Sequence, residues 1–268
     1  MRPVVVASDL TTAYGKGMSA LWKGLLSDST SLAPVTRFDT KAFTGHHAAC
    51  IPGLEPSQST SLLMQMLTPL LSRSSHCYPV EADVILATTA GEVDFMERGI
   101  LEDKTDAPGS SLQHTLDRIS LLMPGTHEPQ VISAACASST VALAQAANMI
   151  RTGQSKCVLV LAADSVTEFV FSGFSALMAL DPDTARPFDA NRRGLSLGEA
   201  AALALVTSDT RAQAEQWPVA AEIAGYGITN DANHMTGPSR DGEGLSIAVE
   251  RALAMADVAP SSIESISA

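Results

Sequence analysis

An α/β fold, with helices layered on a mainly parallel mixed sheet, is what this sequence predicts, and three observations lead there. Short apolar runs such as Val4-Val5-Val6 and Val84-Ile85-Leu86-Ala87 alternate with longer stretches of helical periodicity. Aromatic residues make up only 4% of the chain, which suits close-packed helices on sheets better than a β-sandwich. The 268 residues, 46% hydrophobic with a mean hydropathy of +0.14, suffice for one large core.

Val4 to Val6 reads as a short buried strand, and Met18 to Leu26 as an amphipathic helix with Leu21, Trp22 and Leu25 on one face. Residues 27–57 are rich in Ser, Thr, Gly and Pro and read as loop. Ser61 to Leu71 is helical, with Pro69 expected to end or kink it. Val84 to Ala87 predicts a central strand leading into a Thr-Thr-Ala-Gly turn, and residues 101–110 a polar excursion. A helix is expected from about Ser111 to Leu122, then a strand over Val131–Ala134 and a helix from Ala137 to Ile150 closed by Gly153. Cys157 to Ala162, Leu203 to Val206 and Ala220 to Ile223 complete the sheet, and strands separated by helices imply parallel pairing.

Charge excludes some partners. The formal net charge is −12, from 29 acidic against 17 basic side chains without a basic cluster, so nucleic acid is not an expected partner. No apolar run approaches the roughly 18 to 20 residues of a membrane span, and none has the length of a signal-peptide core, so a cytoplasmic protein is expected. The four cysteines, Cys50, Cys77, Cys136 and Cys157, form no Cys-x-x-Cys pair, and neither a metal nor a cofactor is signalled. Gly194 and Gly198 have the spacing of a phosphate cradle but no Lys-Ser/Thr after them.

The chemically distinctive segment is Ser133-Ala134-Ala135-Cys136-Ala137-Ser138-Ser139. A buried strand followed by small residues and an Ala-rich helix permits a tight turn that exposes Cys136 at a helix N-terminus. There the dipole and free N–H groups favour thiolate, so a lowered pKa and raised nucleophilicity are expected. The alternative is a small apolar cysteine packed between strand and helix.

This segment resembles the nucleophile motif of β-ketoacyl synthases, in the thiolase-like group of condensing enzymes. Fifty residues on, Arg186-Pro187-Phe188-Asp189 and Gly198-Glu199-Ala200 are similar to a second signature of that family. Phe171-Ser172-Gly173-Phe174 resembles its loop beside the acyl pocket, and Gly225-Tyr226-Gly227 with Asp231-Ala232-Asn233-His234 its Gly-Tyr-Gly…His-Met-Thr segment. The resemblance covers essentially the whole chain, as an N-terminal portion with residues 237–268 entering the C-terminal half. It implies a thiolase-like α-β-α half-fold and a role for Cys136 as acceptor of an acyl group from an acyl carrier protein. In the family two histidines and a lysine C-terminal to this region support the decarboxylation that follows. Ser262 to Ala268 looks like the strand leading into their His-Gly-Thr motif, so autonomous condensation by these residues is not expected.

None of the six histidines has the context of a catalytic base. His46, His47, His76, His114 and His127 read as mostly solvated, and His234 matches a structural position of the family. Arg186, Asp189, Arg193 and Glu199 read as an ion-pair network around a loop, Met64 and Met66 as core filler, and Phe171 and Phe174 either gate the acyl pocket or fill it.

Three readings of the whole follow from the resemblance: a short chain-length-factor-like subunit paired with a complete ketosynthase, as in aryl-polyene-type pathways; a fragment of a complete synthase; or a docking module for acyl carrier protein. The first is preferred, although chain-length factors generally replace the nucleophile that Cys136 retains. On that reading the strand at Val131–Ala134 is an edge that pairs with the partner, as an uncovered apolar edge is an aggregation hazard. Leu112, Thr115, Leu116 and Ile119, at helical spacing, would then help to floor the partner's acyl pocket.

Overall fold

The computed structural model describes residues 1–267 apart from 28, 103–110, 124–126 and 235–236. Most of the expected polar excursion at 101–110 therefore lies outside the described residues. In chain order the elements are β1 (Pro3–Thr12), β2 (Gly15–Lys16), α1 (Met18–Leu25), β3 (Ala33–Pro34), β4 (His47–Ala49), α2 (Leu62–Arg73), β5 (Asp83–Ala87) and α3 (Val93–Leu101). There follow α4 (Leu112–Leu122), β6 (Gln130–Ile132), α5 (Ser138–Arg151), β7 (Cys157–Asp164), α6 (Glu168–Ala176), β8 (Leu197–Gly198), β9 (Ala200–Ser208), α7 (Asp209–Ala214), β10 (Ala221–Glu222) and α8 (Glu243–Ala256).

Among the described residues one seven-stranded sheet runs in the order β10-β1-β9-β7-β5-β6, with β2 folded back on β1. It is mixed, as expected, but its parallel part is confined to β7-β5-β6, and the pairs β7/β9, β9/β1 and β1/β10 are antiparallel. On the parallel side helices bridge successive strands and carry the chain from one end of the sheet to the other. Between β7 and β9 they do not: Asp164 at the end of β7 faces Ala200 at the start of β9, so the intervening segment leaves and re-enters at one end.

Strand alternation divides the core into two layers. Val84, Leu86, Leu159, Leu161, Leu203 and Leu205 face α2 and α4, where they meet Leu63, Leu67, Leu70, Leu116 and Ile119. Ile85, Val158, Val160 and Val206 face α5, where Ala142 and Ala146 allow close approach beside Met149 and Ile150. Together these layers make the expected α-β-α arrangement. Met64 and Met66 fill the first core, as expected.

Two local expectations are corrected. Pro69 stands inside α2 without ending it, because it lies on the exposed side while Leu70 and Leu71, the next residues, are buried and hold the helix to the sheet. Helix α1 forms as expected, yet Trp22 is 63% exposed and no residue of the helix is buried, so its apolar face is not covered by this chain. The loop expected at 27–57 carries two short strands: β3 pairs with β4, and β4 runs parallel to β8.

That loop is anchored by an ion pair absent from the sequence reading. The Glu199 carboxylate, fully buried, accepts from Arg37 Nη1 at 2.8 Å and Nη2 at 2.9 Å, from the Ile51 amide at 2.8 Å and from the Val166 amide at 3.0 Å. Arg37 donates onward to the carbonyls of Val166 and Leu54, at 2.7 and 2.6 Å. The expected network of Arg186, Asp189, Arg193 and Glu199 is thus divided. Arg193 pairs with Asp181 and Asp183, Arg186 lies 3.9 Å from Asp189 on the surface, and Glu199 belongs with Arg37. Gly194 serves this packing rather than a phosphate: with φ at +156°, a Cβ there would lie 2.5 Å from the Asp181 amide nitrogen.

Removing one partner of a buried pair leaves an uncompensated charge, so Glu199→Ala is expected to destabilise the protein by about 3–5 kcal/mol, against about 0.5 kcal/mol or less for Arg186→Ala. Urea denaturation followed by circular dichroism checks both.

Candidate functional site

Strand β6 ends at Ile132, and by Ser138 the chain has entered α5; the reversal between them presents Cys136. Ala135 takes φ of +49°, a left-handed conformation that costs an L-residue roughly 1–2 kcal/mol. Local hydrogen bonds hold it there. The Ala137 and Ser138 amides donate to the carbonyls of Ala134 and Ala135, each at 3.1 Å. Ser138 Oγ accepts from the Ala134 amide at 2.9 Å and donates to the Ala135 carbonyl at 2.6 Å, so one buried hydroxyl staples both sides of the turn. Ala134, Ala135 and Ala137 line this reversal and are exposed, so the side chains beside Cys136 are small and leave its thiol open.

A second turn, the Thr-Thr-Ala-Gly segment after β5, abuts the first. Thr89 Oγ1 donates to the Ala135 carbonyl at 3.2 Å, and the Thr88 amide donates to the Ile132 carbonyl at 3.2 Å. Thr88, Thr89 and Ala90 in turn converge on the Asp164 carboxylate at the end of β7. Neither Thr89 nor Asp164 was singled out from the sequence. The signal available was the lone carboxylate closing an apolar strand, Cys157-Val-Leu-Val-Leu-Ala-Ala-Asp164, at the end of the sheet where the cysteine turn emerges.

The four thiols are all free and differ sharply in surroundings. Cys136 is exposed, Cys50 and Cys77 are half-buried and Cys157 is buried. Burial pushes the Cys50 thiol up to about 11 and the Cys157 thiol up to about 12, and it also raises Cys77. The reading of Cys136 as a packed, apolar cysteine is therefore set aside for an exposed thiol two residues before the first turn of α5.

The remaining candidate residues separate into core and surface. Phe171 is fully buried, its ring 5.5 Å from that of Phe38 and 5.8 Å from that of Phe43, so it fills an aromatic cluster; Phe174 packs partly buried on the same cluster. On α4, Thr115, Leu116 and Ile119 point into this chain's own core, because that stripe is what seats the helix on the sheet. Leu112, 36% exposed in the first turn, is the member of that face which a partner could reach. His46, His76, His127 and His234 are exposed, while His47 and His114 are half-buried, a little less solvated than expected.

Comparison with known proteins gives a consistent result. Residues 118–212 match the family model described as "Beta-ketoacyl synthase, N-terminal domain", and residues 220–268 match "Beta-ketoacyl synthase, C-terminal domain". The 3-oxoacyl-[acyl-carrier-protein] synthase 2 of Vibrio cholerae is 26% identical over 290 residues, spanning 96% of this chain and 70% of that protein. Among solved structures, the ishigamide ketosynthase/chain length factor superposes with a TM-score of 0.83 at 26% identity, over 98% of this chain and 72% of its own. A type II polyketide acyl-carrier protein in complex with its ketosynthase matches in fold, with a TM-score of 0.81 at 20% identity, over 97% of this chain and 71% of that one. The thiolase-like architecture expected from the motifs is thus the observed one.

Exposure and burial set an order of reactivity. Iodoacetamide at pH 8 is expected to modify Cys136 first, with Cys50 and Cys157 left intact, since thiols with pKa values near 11 and 12 hold only about 0.1% thiolate or less at that pH. Cys50 should become reactive as pH rises toward 11. Peptide mapping by mass spectrometry reads the order, and equal rates at all four positions would refute it.

Proposed function

The chain belongs to the β-ketoacyl synthase family, and from that premise we propose that Cys136 is the acyl-accepting nucleophile of a synthase-like subunit in a fatty-acid or polyketide-type elongation system. The observation that carries the reading is the exposed thiol on a strained turn between a strand and the N-terminus of a long helix. In the step proposed, the Cys136 thiolate attacks the carbonyl carbon of an acyl thioester on an acyl carrier protein. A new C–S bond forms, the old one breaks, and the carrier's thiol leaves with the electron pair and is protonated by solvent.

The finer reading is a chain-length-factor-like subunit that works, in the cytoplasm, with a complete ketosynthase. Three features support it. β6 is an edge strand of the sheet, a short apolar stretch of backbone open to pairing. Leu245 and Val249 of α8, together with Ile266, are exposed apolar side chains that a partner would cover. The ishigamide structure, similar over nearly the whole of this chain, is a ketosynthase/chain length factor. Decarboxylative condensation then draws its histidine pair from the partner, and this chain contributes to the acyl pocket near their contact.

Two outcomes are expected. The purified 268-residue polypeptide should take an acyl group onto Cys136 from an acyl carrier protein, seen as a mass increment lost in Cys136→Ala. It should not extend that group with malonyl-carrier protein until a complete ketosynthase is added; extension by the polypeptide alone would overturn the division of labour.

The pocket is tested separately. In the reconstituted complex, Leu112→Trp is expected to shorten the products, whereas Thr115→Trp, at a fully buried position, should overpack the core and cost about 1–3 kcal/mol. Product lengths from mass spectrometry and thermal denaturation distinguish the two effects.

A further inference from the structure

The turn that presents Cys136 is not held by its own residues alone. Asp164 closes β7, and its carboxylate is spent on the neighbouring turn after β5. Oδ1 accepts from Thr88 Oγ1 at 2.9 Å, from the Thr89 amide at 3.0 Å and from the Ala90 amide at 3.1 Å, while Oδ2 accepts from the Thr89 amide at 3.0 Å. Thr88 Oγ1 also accepts from the Gly91 amide at 3.0 Å, which closes that turn on itself. A carboxylate gathering backbone N–H groups in this way makes a stiff turn, since hydrogen bonds to an ionised acceptor are about twice as strong as neutral ones. The stiffened turn extends one group towards the cysteine: Thr89 Oγ1, which donates to the carbonyl of Ala135.

Ala135 is the residue that pays for the reversal, with its φ of +49°. Its carbonyl receives two hydroxyl donors, Thr89 Oγ1 at 3.2 Å and Ser138 Oγ at 2.6 Å. Ser138 belongs to α5 and moves with the helix. Thr89 ties the Ala135 carbonyl itself to the turn after β5, beyond the last ladder contact of β6 at Ile132. Without it that carbonyl is bonded only to Ser138 of α5, and the path from Ile132 to Cys136 has one fewer restraint against the sheet.

We propose that Asp164 and Thr89 are positioning residues for Cys136, a relay in which the carboxylate fixes the turn after β5 and the Thr89 hydroxyl locks the Ala135 carbonyl so that the thiol is held for attack on a thioester. This rests on the reading of Cys136 as an acyl acceptor. Neither residue touches the substrate; each acts through backbone.

The test compares the wild-type chain with Thr89→Val, Thr89→Ser and Asp164→Asn, using an octanoyl thioester of N-acetylcysteamine as acyl donor and iodoacetamide as a probe of simple exposure. Thr89→Val is nearly isosteric at an exposed position, so folding should be retained. Its acylation rate is expected to fall roughly tenfold, as misplacement of a reacting group predicts, while alkylation of the same thiol changes less than about twofold. Thr89→Ser should restore acylation, and Asp164→Asn should behave like Thr89→Val. Backbone amide exchange over residues 134–138, read by mass spectrometry, should quicken in Thr89→Val and not in Thr89→Ser. If the wild-type chain accepts no acyl group, the acyl-acceptor reading fails by itself and the exchange result decides the relay. Acylation unchanged in Thr89→Val, a fall that Thr89→Ser does not reverse, or exchange at 134–138 unaffected by the valine would overturn the proposal.

Discussion

The buried carboxylate of Glu199 is the point on which three separate segments of this protein converge. Its two oxygens satisfy a bidentate arginine from the loop before β4, a backbone amide after β4 and the amide of Val166 on the approach to α6. Because that segment leaves β7 and returns to β9 at one end of the sheet, the seven-stranded ladder does not fix its path; the ion pair and the short β4/β8 pairing do. A charge at such depth is tolerated because each lone pair finds a donor. The geometry is therefore all or nothing, and it positions α6, with Phe171 against Phe38 and Phe43, in one place.

The same logic of converging polar groups recurs at the functional end of the sheet. There Asp164 gathers the turn after β5, and Ser138 and Thr89 converge on one carbonyl of a strained alanine. The apolar layers explain why these strands and helices exist. The polar clusters explain why their ends meet in a fixed arrangement. Strain at Ala135 is stable only because its surroundings over-determine it, which is the usual condition for a left-handed residue beside a reactive group.

Much of this was legible in the sequence, for identifiable reasons. Strands β5, β7 and β9 and helices α2, α4 and α5 announce themselves by periodicity, because each buries one face or both and the pattern follows directly. The Cys136 turn was legible because small residues, which permit a tight reversal, stand on both sides of a chemical one. What the sequence hid was long-range. Nothing in the neighbourhood of Arg37 points across the chain to Glu199, so the glutamate was assigned to nearby arginines instead. Asp164 and Thr89 were hidden likewise, for their partners lie on other strands. The antiparallel half of the sheet was missed because periodicity reports burial and carries no sign of direction. The stripe on α4 read correctly as one apolar face; its destination, the chain's own core, required the three-dimensional fold.

Exposure of Cys136 carries a further physical consequence. A thioester held in open water gains little from preorganised dipoles, since solvent screens them and competes for any carbanion formed nearby. The thiol lies four residues beyond β6, and β6 is an open edge of the sheet. On the proposed reading, a partner strand on that edge would lie close to the cysteine, so one contact would serve two demands: covering unpaired backbone, and excluding water from the reacting group. The apolar side chains left exposed on α8 make the same demand elsewhere on the surface. Gly225 and Gly227 let the segment after β10 lie directly on α8: a Cβ at either position would fall within about 2 Å of a carbonyl oxygen of that helix, at Ala252 or Ala248. On the proposed reading, protein that covers both surfaces would shield the condensation step from water, a demand that simple acyl transfer to an exposed thiol does not make.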